Sequence, residues 1–273
     1  MTLQVQGLVK HFGGVHAVRG ISFDVAPGEC VALIGPNGAG KSTSFACIAG
    51  QHALTAGTVR WRGERMDRLR PAQRLQRGVA RTFQVAQTFE ALTVLQNVQL
   101  LTQYPQGLTA YTVLDSSESQ RAHALLAQVG LGDLAHAEAQ SLPYGAKKRL
   151  ELAMALAGLP ATPDAGPGLL LLDEPAAGLA SSERASLMAL VKSLTQAVPG
   201  QGGIAVLYTE HNMDAVFGVA DRVLVLIDGE IAAQGSPDAI AADPQVRQRY
   251  LGQSWRQPGG AAKPGLATES AHA

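Results

Sequence analysis

Residues 35–42 read Gly35-Pro36-Asn37-Gly38-Ala39-Gly40-Lys41-Ser42, with Thr43 following. They fit GxxxxGK[ST], the pattern of a loop that wraps phosphates. The preceding residues, 30–34 (CVALI), are an unbroken apolar run of strand length, as expected of a strand buried on both faces. A helix is predicted to open near Lys41. Strand, glycine-rich loop and helix start, in that order, give the pattern its mechanism. The glycines let backbone N–H groups close on phosphate oxygens, and the helix N-terminus adds partial positive charge. Lys41 would reach the β- and γ-phosphates and Ser42 would ligate Mg²⁺. From average composition, the four fixed positions coincide by chance in a chain of this size about once in 100.

Upstream of the loop, residues 2–34 read as strands: Ile21, Phe23 and Val25 alternate with Ser22 and Asp24. Pro27-Gly28 marks a turn. Downstream, short strands are expected at 59–61 and 78–83. From about 84 to 159 the pattern turns to helices and loops, with helices expected at 121–131 and 145–157. A Pro/Gly-rich connector (160–168, PATPDAGPG) precedes renewed strand character at 169–172, 204–208 and 222–227. Leu187, Leu190, Val191, Leu194 and Val198 form a helical apolar stripe between the first two. Asp228-Gly229 signals a tight hairpin, and Ser236-Pro237 an N-cap with proline at the first helical position. The expected architecture is an α/β core interrupted by a helical insertion. The tail after Trp255 offers almost nothing to bury and is expected to be disordered.

The second chemical signal is Leu169-Leu170-Leu171-Leu172-Asp173-Glu174-Pro175. Four apolar residues put the strand in the core and deliver two carboxylates at its C-terminal end, where α/β sheets bind ligands. Asp173 suits the Mg²⁺ site and Glu174 the general base that polarises an attacking water.

Composition excludes several other classes. The 273 residues include 22 Lys+Arg and 22 Asp+Glu, so no global field draws the chain to nucleic acid or anionic lipid. Cys30 and Cys47, the two cysteines, have no metal-ligand spacing and cannot form a disulfide framework, which favours a reducing, cytosolic setting. The N-terminus lacks an apolar signal segment, and no apolar run approaches the about 20 residues of a membrane span.

In its order of motifs the chain resembles the ABC ATPase cassette over residues 3 to 252. Within that family it is most similar to the branched-chain amino-acid uptake ATPases, on HFGGVHAV (11–18), GVARTFQ (78–84), LPYG (142–145), DEPAAGL (173–179) and VRQRYLG (246–252). Lipopolysaccharide-export and urea-uptake ATPases, and a regulatory cassette with weak turnover, are the competing readings. The resemblance implies a P-loop NTPase (RecA-like) core with an N-terminal antiparallel β region and an inserted helical subdomain. The core would comprise 1–83 and 166–253, the subdomain 84–165, and the tail 254–273.

The resemblance also assigns roles. Phe12 stands where an aromatic stacks on adenine, a contact that rests on dispersion rather than hydrogen bonding. Gln84 matches the loop glutamine that contacts Mg²⁺ and the reactive water, and His211 the switch histidine that bonds the γ-phosphate. Tyr144 and Gly145 belong to the signature that faces ATP on an opposing subunit. There Ala146 replaces an expected glutamine and Pro143 a serine, removing two polar contacts of about 0.5–1.5 kcal/mol each. Ala180 stands where Asp or Asn is usual. Lys147 and Lys148 either compensate or are solvated. The implied partners are membrane permease subunits, a second identical or related ATPase subunit and, indirectly, a periplasmic solute-binding protein, at the cytoplasmic face of the inner membrane. Eight arginines lie within 60–81, at 60, 62, 65, 68, 70, 74, 77 and 81. They read as a solvated face rather than a nucleic-acid patch, since Trp61 is the one aromatic among them.

Overall fold

The computed structural model describes residues 2–82, 87–103, 116–159, 166–196 and 203–252. The chain opens with β1 (Leu3–Phe12) and β2 (Val15–Val25), paired antiparallel. Ile21, Phe23 and Val25 point inward while Ser22 and Asp24 face solvent, as the alternation requires. β3 (Cys30–Ile34) leads through the glycine-rich loop into α1 (Lys41–Ala49). β4 (Ala56–Trp61) and β5 (Glu64–Arg65) then complete a four-stranded antiparallel sheet of order β2-β1-β4-β5.

The short α2 (Pro71–Leu75) precedes β6 (Val79–Arg81), and three helices follow: α3 (Val94–Gln103), α4 (Ser116–Gln128) and α5 (Tyr144–Ala157). Strands return as β7 (Leu169–Asp173) and β8 (Ala205–Thr209), separated by α6 (Ser181–Leu194). The chain continues through α7 (Met213–Phe217), β9 (Arg222–Ile227), β10 (Glu230–Gly235) and α8 (Pro237–Ala242). β9 and β10 are antiparallel and join at Asp228-Gly229, both at positive φ as a tight hairpin needs.

The second sheet has the order β10-β9-β3-β8-β7-β6 and is parallel except for β10. Its central strands are covered on both faces, which explains their continuous apolar runs. Cys30, Ala32 and Ile34 join Leu170 and Leu172 in a core beneath α5 and α6. Val31 and Leu33 join Leu169 and Leu171 in a core with α1 and the antiparallel sheet. Each of the four leucines 169–172 is fully buried and worth about 1.5–3 kcal/mol. Both cysteines are buried and free, and burial pushes the Cys30 thiol up to about 12, which makes it inert.

The bounds expected for α4 need correction. α4 begins five residues before the expected 121, because its first turn (SSESQ) is polar and carries no apolar period. It also ends earlier, before Gly130 at φ 74. α6 carries the expected stripe at Leu187, Leu190, Val191 and Leu194 and extends six residues ahead of it; Val198 lies outside the described residues.

The arginine stretch is not simply a solvated face. Arg65, Arg68 and Arg70 are exposed, but Arg65 pairs with Asp67 and Arg77 with Glu64. Arg74 is 1% exposed. Its guanidinium donates to the carbonyls of Cys47 (2.9 Å) and Ile48 at the C-terminus of α1, and to Leu69 (3.0 Å). A cation there meets the negative end of the helix dipole, which offsets part of a burial cost that lowers its pKa to about 10. Arg74→Ala leaves a void and orphaned carbonyls, so we expect a loss of about 2–4 kcal/mol. The urea midpoint should fall at unchanged m-value; an unchanged midpoint would mean that water replaces the guanidinium at no cost.

Candidate functional site

Because β3, β7 and β8 run parallel side by side, the segments leaving their C-terminal ends share one edge of the sheet. The first is the glycine-rich loop. Gly40 closes it at φ 100, and a Cβ there would lie 2.4 Å from the carbonyl oxygen of Ala17 on β2. A Cβ on Gly35 would meet the Leu226 carbonyl at 2.0 Å. Backbone therefore packs on both sides of a loop that tolerates no side chain at either position. Gly40 supplies no side-chain cap to α1, which leaves the first-turn N–H groups to an anion. Lys41 is buried, its Nζ donating to the Gly35 (2.7 Å) and Pro36 (3.0 Å) carbonyls. Burial lowers its pKa, and the carboxylates of Glu174 and Asp173 act against that shift. Asn37 and Gly38 are exposed, Pro36 is half-buried and Ala39 is buried. Ser42 is exposed at the helix start and Thr43 is half-buried.

Across the edge, Asp173 ends β7 in register with Thr209 of β8. Its Oδ2 receives Arg81 (2.9 Å) and its Oδ1 the Thr209 hydroxyl (2.8 Å). Glu174 follows at φ 47, a left-handed conformation uncommon outside glycine. Its Oε1 lies 2.8 Å from His211 Nε2. Glu210, buried beside them, has a pKa raised first by desolvation; backbone N–H groups of Ala176, His211 and Asn212 oppose that shift. The sequence-predicted Lys41, Asp173, Glu174 and His211 are thus gathered at one place. The donor set there suits a hard cation with oxygen ligands: a hydroxyl from Ser42 and a carboxylate from Asp173.

The family model described as ABC transporter matches residues 18–177. The chain belongs to the ABC transporter family. It is 37% identical over 262 residues to the high-affinity branched-chain amino acid transport ATP-binding protein LivG of Escherichia coli strain K12. That match covers 92% of this chain and 98% of LivG. The corresponding protein BraF of Pseudomonas aeruginosa is 35% identical, with the same coverage. Among solved structures, the ADP conformation of MJ1267, an ATP-binding cassette of an ABC transporter, superposes with a TM-score of 0.78 at 28% identity. It covers 93% of this chain and 100% of that one. CbiO1 of Clostridium perfringens, part of the ABC transporter complex CbiONQ, reaches 0.75 at 27% identity, covering 91% and 95%. The fold is that of an ABC ATPase cassette, a nucleotide-binding ATPase of the ABC transporter family. Among the described residues no helix is long and apolar enough to cross a membrane.

The residues read from the sequence as the signature, 142–146, lead into α5. Tyr144 is exposed, and its ring packs on Gly178, where a Cβ would sit 3.1 Å from Cε1. A Cβ on Gly145 would meet Glu183 Oε1 at 2.7 Å and Leu179 Cδ2 at 3.6 Å. Neither lysine beside these residues is simply solvated. Lys147 pairs with Glu90 (3.0 Å), and Lys148 is buried with Glu151 (3.6 Å) on the same helix. Ala180 caps α6 with backbone alone, its N–H donating to Glu183 Oε2 (3.3 Å).

Phe12 is 44% exposed at the tip of the β1–β2 hairpin, with the Lys10 ammonium 4.7 Å from its ring centroid and His52 edge-on at 5.3 Å. Gln84 and the tail lie outside the described residues. Sequence reasoning passed over Arg81, Thr209 and Glu210. Arg81 lies inside the quoted segment GVARTFQ (78–84), and Thr209 and Glu210 directly precede His211; that adjacency was the available signal. Behind Arg81 a cavity of about 430 Å³ opens, lined by Leu75, Phe89, Leu101, Met154 and Ala155.

Proposed function

We propose that this cassette binds ATP with Mg²⁺ and powers uptake of branched-chain amino acids or related small solutes through a permease at the cytoplasmic face of the plasma membrane. The observation that carries the reading is the LivG match, which spans nearly the whole length of both proteins. Ser42, Asp173 and Gln84 would hold Mg²⁺, which when bound would neutralise phosphate charge. Lys41 and the N–H groups of residues 35–43 bind and orient the β- and γ-phosphates. Phe12, too exposed for a core residue, stacks on adenine. Glu174 takes the proton of the attacking water as its oxygen bonds to the γ-phosphorus and the bond to the β-phosphate oxygen breaks. His211, bonded to Glu174, holds the γ-phosphate and the base in one arrangement.

The atoms nearest Gly145 belong to Glu183 of α6 and to Leu179 just before that helix, not to the glycine-rich loop. This favours a head-to-tail dimer, in which Tyr144 and Gly145 of one subunit close on ATP bound by the other. In our reading the inserted helical region spans 84–165, and its apolar cavity, edged by exposed Phe89, receives the permease. A periplasmic solute-binding protein delivers the solute on the far side.

The test is reconstitution with the co-encoded permease and binding protein in proteoliposomes. ATP-dependent leucine uptake, with ATPase stimulated by loaded binding protein, is expected. Stimulation by urea alone would overturn the substrate class. Negligible turnover in the assembled complex would favour the regulatory reading that Ala146 and Ala180 motivate.

A further inference from the structure

A single hydroxyl stands between the two carboxylate residues of the site. Thr209 ends β8 and is 1% exposed. Its Oγ1 lies 2.8 Å from Asp173 Oδ1 and 3.0 Å from the backbone nitrogen of Glu174. A hydroxyl has one proton to give and lone pairs to receive with. The carboxylate can only accept and the N–H can only donate, so both roles of the hydroxyl are set. Glu174 needs the second bond: its φ of 47 strains any residue that carries a Cβ, and such a conformation persists only where its surroundings hold it. The next two residues continue the grip. The buried Glu210 carboxylate accepts from the N–H groups of Ala176 (2.9 Å) and His211 (3.2 Å). His211 Nε2 then returns to Glu174 Oε1 at 2.8 Å.

We infer that Thr209 is a positioning residue for ATP hydrolysis: its hydroxyl aims the Asp173 carboxylate and pins the Glu174 backbone, aligning both carboxylates through one group. The inference rests on the roles proposed above for Asp173 and Glu174. Packing alone does not explain the residue. Valine has the same shape and suits a buried strand end as well, yet it would leave a carboxylate oxygen and an N–H without this partner.

The experiment compares Thr209→Val and Thr209→Ser in the full chain assembled with its permease, with Glu174→Gln alongside. ATPase is measured against ATP and Mg²⁺ concentration, ATP binding without turnover, and melting temperature. Thr209→Val should lower kcat 10–100-fold, the usual cost of losing a group that orients a metal-site carboxylate. Its ATP KM should stay within about threefold of the parent, and its Mg²⁺ requirement should rise. Thr209→Ser, which keeps the hydroxyl, should recover kcat to within about threefold. If the valine variant does not fold, Thr209→Cys, a weak donor, replaces it with the same expected loss. A valine kcat within about twofold of the parent overturns the inference, as does a serine variant no faster than valine. With Glu174→Gln inactive, either result sinks the Thr209 role alone; parental hydrolysis by Glu174→Gln sinks the site assignment and this inference with it.

Discussion

Glu174→Gln should lower ATP turnover at least about 100-fold while leaving ATP affinity nearly unchanged, since general-base catalysis contributes about 10²–10⁴ to a rate. The amide keeps the size of the carboxylate and can still offer an oxygen to His211 Nε2, now 2.8 Å from Glu174 Oε1. It cannot take a proton. The backbone bond from the Glu174 N–H to Thr209 involves no side-chain atom and should survive, so the left-handed turn stays in place. Lys41, Ser42 and Asp173 are untouched, so the nucleotide remains bound and whole. In the proposed head-to-tail dimer, ATP with its γ-phosphate intact would keep bridging one subunit's glycine-rich loop to Gly145 of the other. The closed dimer should then be visible by size-exclusion chromatography in ATP but not in ADP. Hydrolysis at the parent rate would remove Glu174 as the base. An inactive variant that stays monomeric in ATP would instead point to a different chain as the signature-bearing partner.

Lys41→Ala should fail one step earlier, with ATP affinity down about 10- to 100-fold and no ATP-dependent dimer. The ammonium is buried against two carbonyls, with no carboxylate among the described residues bonded to it. Burial lowers its pKa, with Glu174 and Asp173 opposing the shift, so an arriving phosphate gives the cation a direct anionic partner. A hydrogen bond to a charged group is worth about 1.5–3 kcal/mol, which sets the expected loss. The alanine variant also strips the Gly35 and Pro36 carbonyls of their donor and loosens the loop. Titration with a fluorescent ATP analogue would measure the change; an affinity within about twofold of the parent would show that backbone N–H groups alone hold the phosphates.

The legible parts of the site were those whose chemistry fits within a few adjacent residues. Residues 35–42 announce a phosphate loop because glycine, lysine and serine must stand at fixed spacings for the backbone to turn. Asp173 and Glu174 stood out because four leucines must end somewhere, and on a parallel sheet they end at the ligand edge. Reading failed where a side chain's partner is remote. Arg74 sits among seven other arginines and looks like one of them, yet its guanidinium bonds the carbonyls that end α1. Lys148 reads as a surface lysine beside the signature, while the helix turns it inward to Glu151. The first turn of α4 escaped because polar residues carry no apolar period.

The sequence by itself determined that the chain is an α/β protein with a phosphate-binding loop, which residues of that loop hold charge, and which strand ends in acids. Those are properties of short segments: hydrophobic period, turn chemistry and the backbone freedom of glycine act over a few residues and do not wait for the rest of the fold. Tertiary structure alone decided that Arg81 and Thr209 would share the Asp173 carboxylate, and that Thr209 would hold Glu174 in a left-handed turn. Those pairings depend on parallel register, β7 against β8 and β6 against β7. Register comes from how many distant side chains fill two cores at once, a property of the whole chain that no single stretch contains.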